Sequence, residues 1–157
     1  MSSISNSLKL SREVVQDYIR YLREAYLIML TPRFAPSIET SLRANPKVHV
    51  MDGGLLHVFS NLSSGKRLES IVARHIFFKN PQYFRNRYEV DFIIRTNEEI
   101  LPIEVKYKEH IDKKDLTGLK ALKSKARFHR AILVTKNLRN IQEEIIYLPA
   151  HIFLALI

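Results

Sequence analysis

From Tyr88 to Lys108 the chain reads YEVDFIIRTNEEILPIEVKYK, two runs of alternating apolar and polar residues joined by the polar segment Thr96-Asn97-Glu98-Glu99. Alternation at a period of two marks strands. The first run sets Val90, Phe92 and Ile94 on one face and Asp91 and Ile93 on the other, and the second opposes Ile103, Val105 and Tyr107 to Glu104 and Lys106. A turn with Asn97 and Glu98 as its central pair predicts a hairpin in which paired residue numbers sum to 195. Asp91 then stands directly opposite Glu104, and Lys106 shares the face of Glu104.

Opposed residues of an antiparallel pair have Cβ atoms about 5 Å apart, where like charges repel. At an effective dielectric near 20 the repulsion is roughly 3 kcal/mol, on the order of two pKa units. Either one carboxylate is protonated or a cation lies between them, and ligation by oxygen alone suits Mg²⁺ or Mn²⁺ better than Zn²⁺. Two carboxylates, a metal and an ammonium on one strand surface are the equipment for metal-assisted hydrolysis of a phosphodiester. The plainer alternative is a solvated sheet face with Lys106 paired to Glu89, its partner in the same register. Against it, the flanking residues are strongly apolar, as in a sheet covered on both sides. Pro102 inside the second run points to an edge or a bulge.

Elsewhere the pattern predicts helices and short strands. Residues 8–30 read as an amphipathic helix with Ser11 as N-cap and Val14, Val15, Tyr18, Ile19, Leu22 and Tyr26 at helical spacing, running into a possible strand at Leu27 to Phe34. This combination resembles the second helix and wing of a winged helix-turn-helix. The dense apolar face favours packing or dimerisation over DNA contact. Residues 31–46 read as a linker with a short extended piece near Phe34 to Ser41. Val48 to Met51 predicts a strand ending at Asp52-Gly53-Gly54, with Asp52 in a turn or capping role, and His49 and His57 lack the spacing of a zinc pair. Residues 65–78 predict a helix with Leu68, Val72 and Ile76, and Ile71, His75 and Phe78, as its apolar stripe and Glu69 at the margin. Gln82 to Arg87 predicts a strand, Asp112 to Phe128 a helix with lysines outward, and Ala131 to Thr135 and Ile145 to Leu148 two more strands. The apolar tail AHIFLALI must be buried in this core or against a partner.

Composition narrows the class. With 157 residues, 46% hydrophobic, and no apolar run long enough to cross a membrane or serve as a secretory signal, the chain predicts a soluble cytoplasmic α/β protein. No cysteine is present, which removes disulfides and thiolate ligands. The net charge of +9 is concentrated after Ser64, where 18 basic residues face 11 acidic ones, against 7 and 5 before it. That excess fits a polyanionic partner such as DNA. Arg85 and Arg87 interleave with aromatics, and Lys113, Lys114, Lys120 and Lys123 line one helix face, so these six are the expected nucleic-acid contacts. Gly65-Lys66-Arg67 lacks the leading glycine and hydroxyl residue of a phosphate loop, so no nucleotide hydrolysis is expected.

Glu69, Asp91 and Glu104-x-Lys106 resemble the PD-(D/E)xK, or restriction-endonuclease-like, superfamily. EVDFII followed by LPIEVK, with KVHVMDGGL upstream, resembles more narrowly a C-terminal domain of unknown function of archaeal and bacterial AAA-type ATPases, over nearly the whole chain from about Leu8. The resemblance implies an αβββαβ core over residues 47–157 with a mixed sheet, preceded by the winged-helix-like element and linker at 1–46. It also implies catalytic Glu69, Asp91, Glu104 and Lys106, with Mg²⁺ (or Mn²⁺) held by Asp91, Glu104 and the Val105 carbonyl. The function expected is metal-dependent DNA endonuclease. The alternative is a catalytically silent module binding DNA or protein, working with an ATPase module or as a homodimer.

Overall fold

The computed structural model describes residues 2–35, 37–59, 61–96 and 99–156, without the side chains at positions 2, 38, 42 and 59. It opens with two helices, α1 (Ser2–Leu8) and α2 (Arg12–Glu24). The Ser11 hydroxyl caps α2 by accepting from the Val14 N–H at 3.3 Å. The helix expected over 8–30 is therefore shorter: Tyr26 adopts a positive φ of 56°, and β1 (Ile28–Thr31) follows. Where an extended piece was expected, Ser37 caps a short helix, α3 (Ile38–Arg43), through the Thr40 N–H. The strand β2 (Lys47–Val50) pairs antiparallel with β1 in a two-stranded sheet. The strand expected to open the second unit thus shares a sheet with the first. Asp52 takes its expected capping role, accepting from the Leu55 N–H at 2.9 Å at the start of α4 (Gly53–Phe59).

Next come α5 (Ser64–His75), capped by Ser63, and the strands β3 (Gln82–Arg85), β4 (Glu89–Arg95) and β5 (Ile100–Lys106). A 3-10 turn at Lys113–Leu116 and α6 (Thr117–Lys123) lead to β6 (Ala131–Thr135), then β7 (Asn140–Gln142), β8 (Ile145–Pro149) and α7 (Ala150–Leu156). From α5 to β6 the order is αβββαβ. The strands form one mixed six-stranded sheet in the order β3-β4-β5-β6-β8-β7, with β5, β6 and β8 mutually parallel. The protein is a mixed α/β fold.

Two apolar clusters sandwich this sheet. One joins Leu68, Val72, Ala73 and Ile76 to Phe92, Ile94, Ile103, Val105 and the α7 residues Ala150 and Phe153. The other joins Leu119 and Leu122 of α6 to Phe84, Val90, Ile93 and Ile100. The apolar tail therefore buries Phe153 in the chain's own core, while Leu156 stays exposed. The α5 stripe is narrower than the sequence implies, since Ile71 and Phe78 face solvent. The helix expected at 112–128 is a 3-10 turn plus two turns of α6, ending at Lys123. Among the described residues no helix is long and apolar enough to cross a membrane.

The hairpin register follows the expected sum from Arg95↔Ile100 to Phe92↔Ile103. Its central turn pair, Asn97 and Glu98, lies outside the described residues. On the other side of β4 the pairing slips. Gln82 opposes Ile93 but Phe84 opposes Val90, so Asp91 and Phe92 together face the single residue Tyr83. Such a bulge breaks strict alternation. It separates Val90, which packs with Ile93 against α6, from Phe92 and Ile94, which pack against α5; the sequence pattern groups Val90 with Phe92.

Candidate active site

The bulge sits where the β4–β5 ladder ends, and side chains take over the pairing there. The Asp91 N–H donates to Glu104 Oε2 at 3.2 Å, and the Val105 N–H donates to Asp91 Oδ2 at 3.0 Å. The two acids expected to face each other are thus neighbours, each accepting from the other strand's backbone. Both are buried. Glu104 is pushed up to about 8, first by burial and then by the Asp91 charge. Lys106, one pleat on, pairs with Glu104 rather than with Glu89, and this contact raises its own pKa against the effect of burial.

The acidic cluster extends beyond the hairpin. Oxygens of Glu69, Glu89 and Asp91 lie within 4.8 Å of one another, close enough to share a metal ion. Glu69 belongs to α5, one turn after its capped start, and is buried rather than marginal. Among the described residues this trio is the carboxylate group with metal-holding spacing, and Glu104 lies outside it. All of its donors are oxygens, the chemistry that hard divalent cations prefer.

Lys47, at the start of β2, reaches into the trio from the N-terminal unit. Its Nζ is 2.9 Å from Glu69, 2.6 Å from Glu89 and 3.1 Å from Asp91. Burial disfavours this ammonium, but Asp91 and Glu69 outweigh it and hold the Lys47 pKa above the ordinary lysine value. Glu69 is correspondingly lowered despite its burial, by Lys47 and by Lys66, whose Nζ is 2.5 Å away. Next to Lys47 on the same strand face, His49 packs on the Phe92 ring at 5.4 Å. Burial depresses the His49 pKa to about 4, so it is neutral at pH 7 and its buried Nε2 has no hydrogen-bond partner among the described residues.

Sequence reasoning missed Lys47. The signal was available in Lys47-Val48-His49-Val50: the alternation puts Lys47 and His49 on one face and the valines on the other, and Val48 is the exposed residue. A strand that turns its charged face inward is facing a charged site.

Glu69, Glu89, Asp91, Glu104 and Lys106 line a cleft of about 480 Å³, together with Lys66, Lys114 and Asp115, whereas Lys47 and His49 line a smaller cavity that shares Lys66 and Glu69 with it. One wall of the cleft depends on Gly118 of α6, where a Cβ would overlap the Glu89 carbonyl oxygen. Of the residues expected to contact nucleic acid, Lys114 lines this cleft, Arg85 pairs with Glu89 at 3.4 Å, and Arg87 stacks on Tyr88. Lys123 is engaged by Glu144 at 2.5 Å and, with Lys120, lines a separate small cavity, and Lys113 lies on the exposed surface.

Comparison with known proteins places the chain among uncharacterised relatives. An alignment 104 positions long, covering 60% of the chain, is 35% identical to an uncharacterized protein of Methanocaldococcus jannaschii and covers 23% of that protein. No solved structure matches the chain. Residues 1–66 match a family described as a domain of unknown function (DUF8612). Residues 64–153, more than half of the chain, match the domain of unknown function DUF4143, and the chain belongs to that family.

Proposed function

We propose that this chain is a metal-dependent nuclease domain of the PD-(D/E)xK, restriction-endonuclease-like kind, cleaving DNA phosphodiesters in the cytoplasm. One observation carries the reading: Asp91, Glu104 and Lys106 meet at the bulged strand end inside a cleft that Glu69 closes from α5. The order αβββαβ around these residues supports it.

The donors are all oxygens, which suits Mg²⁺ or Mn²⁺; Asp91 with Glu104 and the Val105 carbonyl would hold the ion, and Glu69 and Glu89 lie close enough to Asp91 to contribute. A divalent ion bound there supplies a Lewis acid that polarises the scissile phosphate and lowers the pKa of an attacking water. The chain's own residues do the rest. Glu104, raised toward neutrality, would have to release its proton to serve as a ligand. Lys106, kept charged by Glu104, orients the attacking water or meets charge developing on the phosphate. Lys66 and Lys114 on the cleft walls hold the flanking phosphates.

A second reading, a catalytically silent DNA- or protein-binding module paired with an ATPase module, has one observation in its favour. Lys47 already balances the acidic trio with a covalently attached cation. Plasmid cleavage with Mg²⁺ or Mn²⁺ separates the two. Metal-dependent cutting that falls at least about a hundredfold in Asp91→Ala and Lys106→Ala is expected. Absence of cutting by the wild type, with DNA binding the same in all three proteins, would leave the silent module.

A further inference from the structure

A second cavity, of about 410 Å³, opens on the far side of the Arg85–Glu89 ion pair. That is within the range of small-molecule sites. Its described lining contains four cations, Arg33, Arg85, Arg95 and Lys125, set around the rings of Phe34 and Phe84, and no carboxylate. Two of these guanidiniums are fixed by neutral acceptors. Arg95 Nε donates to Gln82 Oε1 at 2.8 Å while its guanidinium stacks on Phe34 at 4.7 Å, and Arg33 donates to the Arg85 carbonyl. A neutral partner fixes a guanidinium in place without cancelling its charge. Among the described residues Lys125 forms no ion pair and, of the four, only Arg85 has an acidic partner.

Preset positive charge around an aromatic floor matches a ligand that carries a phosphate and a flat ring together. Bases stack on phenylalanine and on guanidinium planes, and the phosphate meets the adjoining cations. A base can enter a cavity of this depth only if it is unpaired, because a paired base is already stacked inside its helix. Arg85 lines this cavity and pairs with Glu89, which lines the acidic cleft, so the two cavities meet at that ion pair. We infer that the Arg33–Phe34–Phe84–Arg95–Lys125 pocket binds an unpaired nucleotide, taken from a single-stranded nucleic acid or free in solution. The inference does not depend on hydrolysis, and its test is run without divalent metal.

The experiment is fluorescence anisotropy in EDTA with the full chain and a short labelled oligothymidylate, beside an abasic strand of the same length, a blunt duplex, and unlabelled thymidine monophosphate as competitor. Arg95→Glu and Lys125→Glu change exposed side chains in β4 and in the loop after α6, so a folding defect in one leaves the other informative; Lys79→Glu, also exposed, controls for the change in net charge. Each pocket variant is expected to weaken oligothymidylate binding about tenfold, and to flatten the log–log salt dependence by about 0.7 for each phosphate no longer neutralised. Wild type should bind the abasic strand more weakly, and Phe34→Leu should narrow that difference. Competition by thymidine monophosphate at a concentration comparable to that of strand nucleotides identifies the free nucleotide as the ligand; failure to compete identifies the strand. Equal weakening in the Lys79→Glu control, equal binding of the abasic strand, or tighter binding of duplex with the same sensitivity to Arg95→Glu would each overturn the inference.

Discussion

The acidic cleft and the basic pocket lie on either side of the Arg85–Glu89 ion pair, yet their charges are arranged in opposite ways. In the cleft, Glu69, Glu89, Asp91 and Glu104 each have an ammonium within reach, and the most heavily used one, Lys47, comes from outside the family segment that holds the acids. In the pocket, Arg33 and Arg95 are braced by a carbonyl and an amide that leave their charge intact. Buried carboxylates without cations would destabilise the fold, whereas exposed guanidiniums are solvated and need no counter-charge. The cleft's electrostatics therefore belong to the stability of the fold, and the pocket's do not.

The strongest way to break this contrast is to remove the cation that holds the cleft. Lys47→Met leaves three buried or half-buried carboxylates facing one another, and losing one partner of a buried ion pair costs about 3–5 kcal/mol. Urea melts in EDTA should show a loss of that size. Millimolar Mn²⁺ should restore much of it, because a divalent ion can take the ammonium's place among oxygens that lie within 4.8 Å. Wild-type stability of the variant in EDTA would mean that the trio needs no cation at all.

Lys47 also marks where sequence reasoning reached its limit. The Asp91–Glu104–Lys106 neighbourhood was legible because strand alternation and hairpin register are local properties, and both acids and the lysine lie within sixteen residues. The succession of elements from α5 to β6 was legible for the same reason, from their periods, as was the start of α2 from its cap, Ser11. Contacts between distant segments were not. Nothing in a single sequence states that β2 docks on α5 and β4, and so Lys47 and the true partner of Glu89 were missed. The bulge was not visible: Pro102 points to an edge or bulge in β5, yet β5 is a central strand with Pro102 in register opposite Ile93, and the slip lies between β3 and β4, opposite Tyr83. The helix that Ser37 caps was read as an extended piece, and α6 ends at Lys123 although the apolar spacing runs on to Phe128.

The pH dependence of stability isolates the proton held in the cleft. Glu104, raised from 4.5 to about 8, binds its proton more tightly folded than unfolded, so stability falls as pH rises from about 4.5 to 8. His49, depressed from 6.5 to about 4, works the other way, adding stability as pH rises from about 4 to 6.5. The two slopes oppose each other below pH 6.5, and above it the Glu104 fall stands alone. Glu104→Gln should abolish the decline between pH 6.5 and 8, a change of roughly 2 kcal/mol across that interval. Chemical denaturation at several pH values in EDTA tests this. A decline that survives the substitution would place the shared proton elsewhere.

The wall between cleft and α6 offers a smaller test that involves no charge. Gly118→Ala sets a methyl group against the Glu89 carbonyl, and since both sides are backbone the helix must move. Overpacking of this kind costs about 1–3 kcal/mol. The displaced α6 should also widen the cleft that Glu89 and Lys114 line, so Mn²⁺ affinity should fall along with the melting temperature. Loss of stability with unchanged metal affinity would show that α6 supports the sheet without shaping the site.

The smallest expected effect comes from the pocket, and its smallness is the point. Arg95 is exposed, and its stacking on Phe34 with one hydrogen bond to Gln82 contributes about 1 kcal/mol or less. Arg95→Gln should therefore melt within a few degrees of wild type, with an unchanged pH profile, since no titrating group in the cleft touches it. Set beside the several kcal/mol expected for Lys47→Met, this result would show that the pocket's charge is dispensable to the fold. A charge cluster that the fold does not need, lined by no described carboxylate and with Arg33 and Arg95 braced by neutral groups, is left for a ligand to use. If Arg95→Gln instead destabilises as much as Lys47→Met, the pocket arginines are structural and the contrast between the two cavities fails.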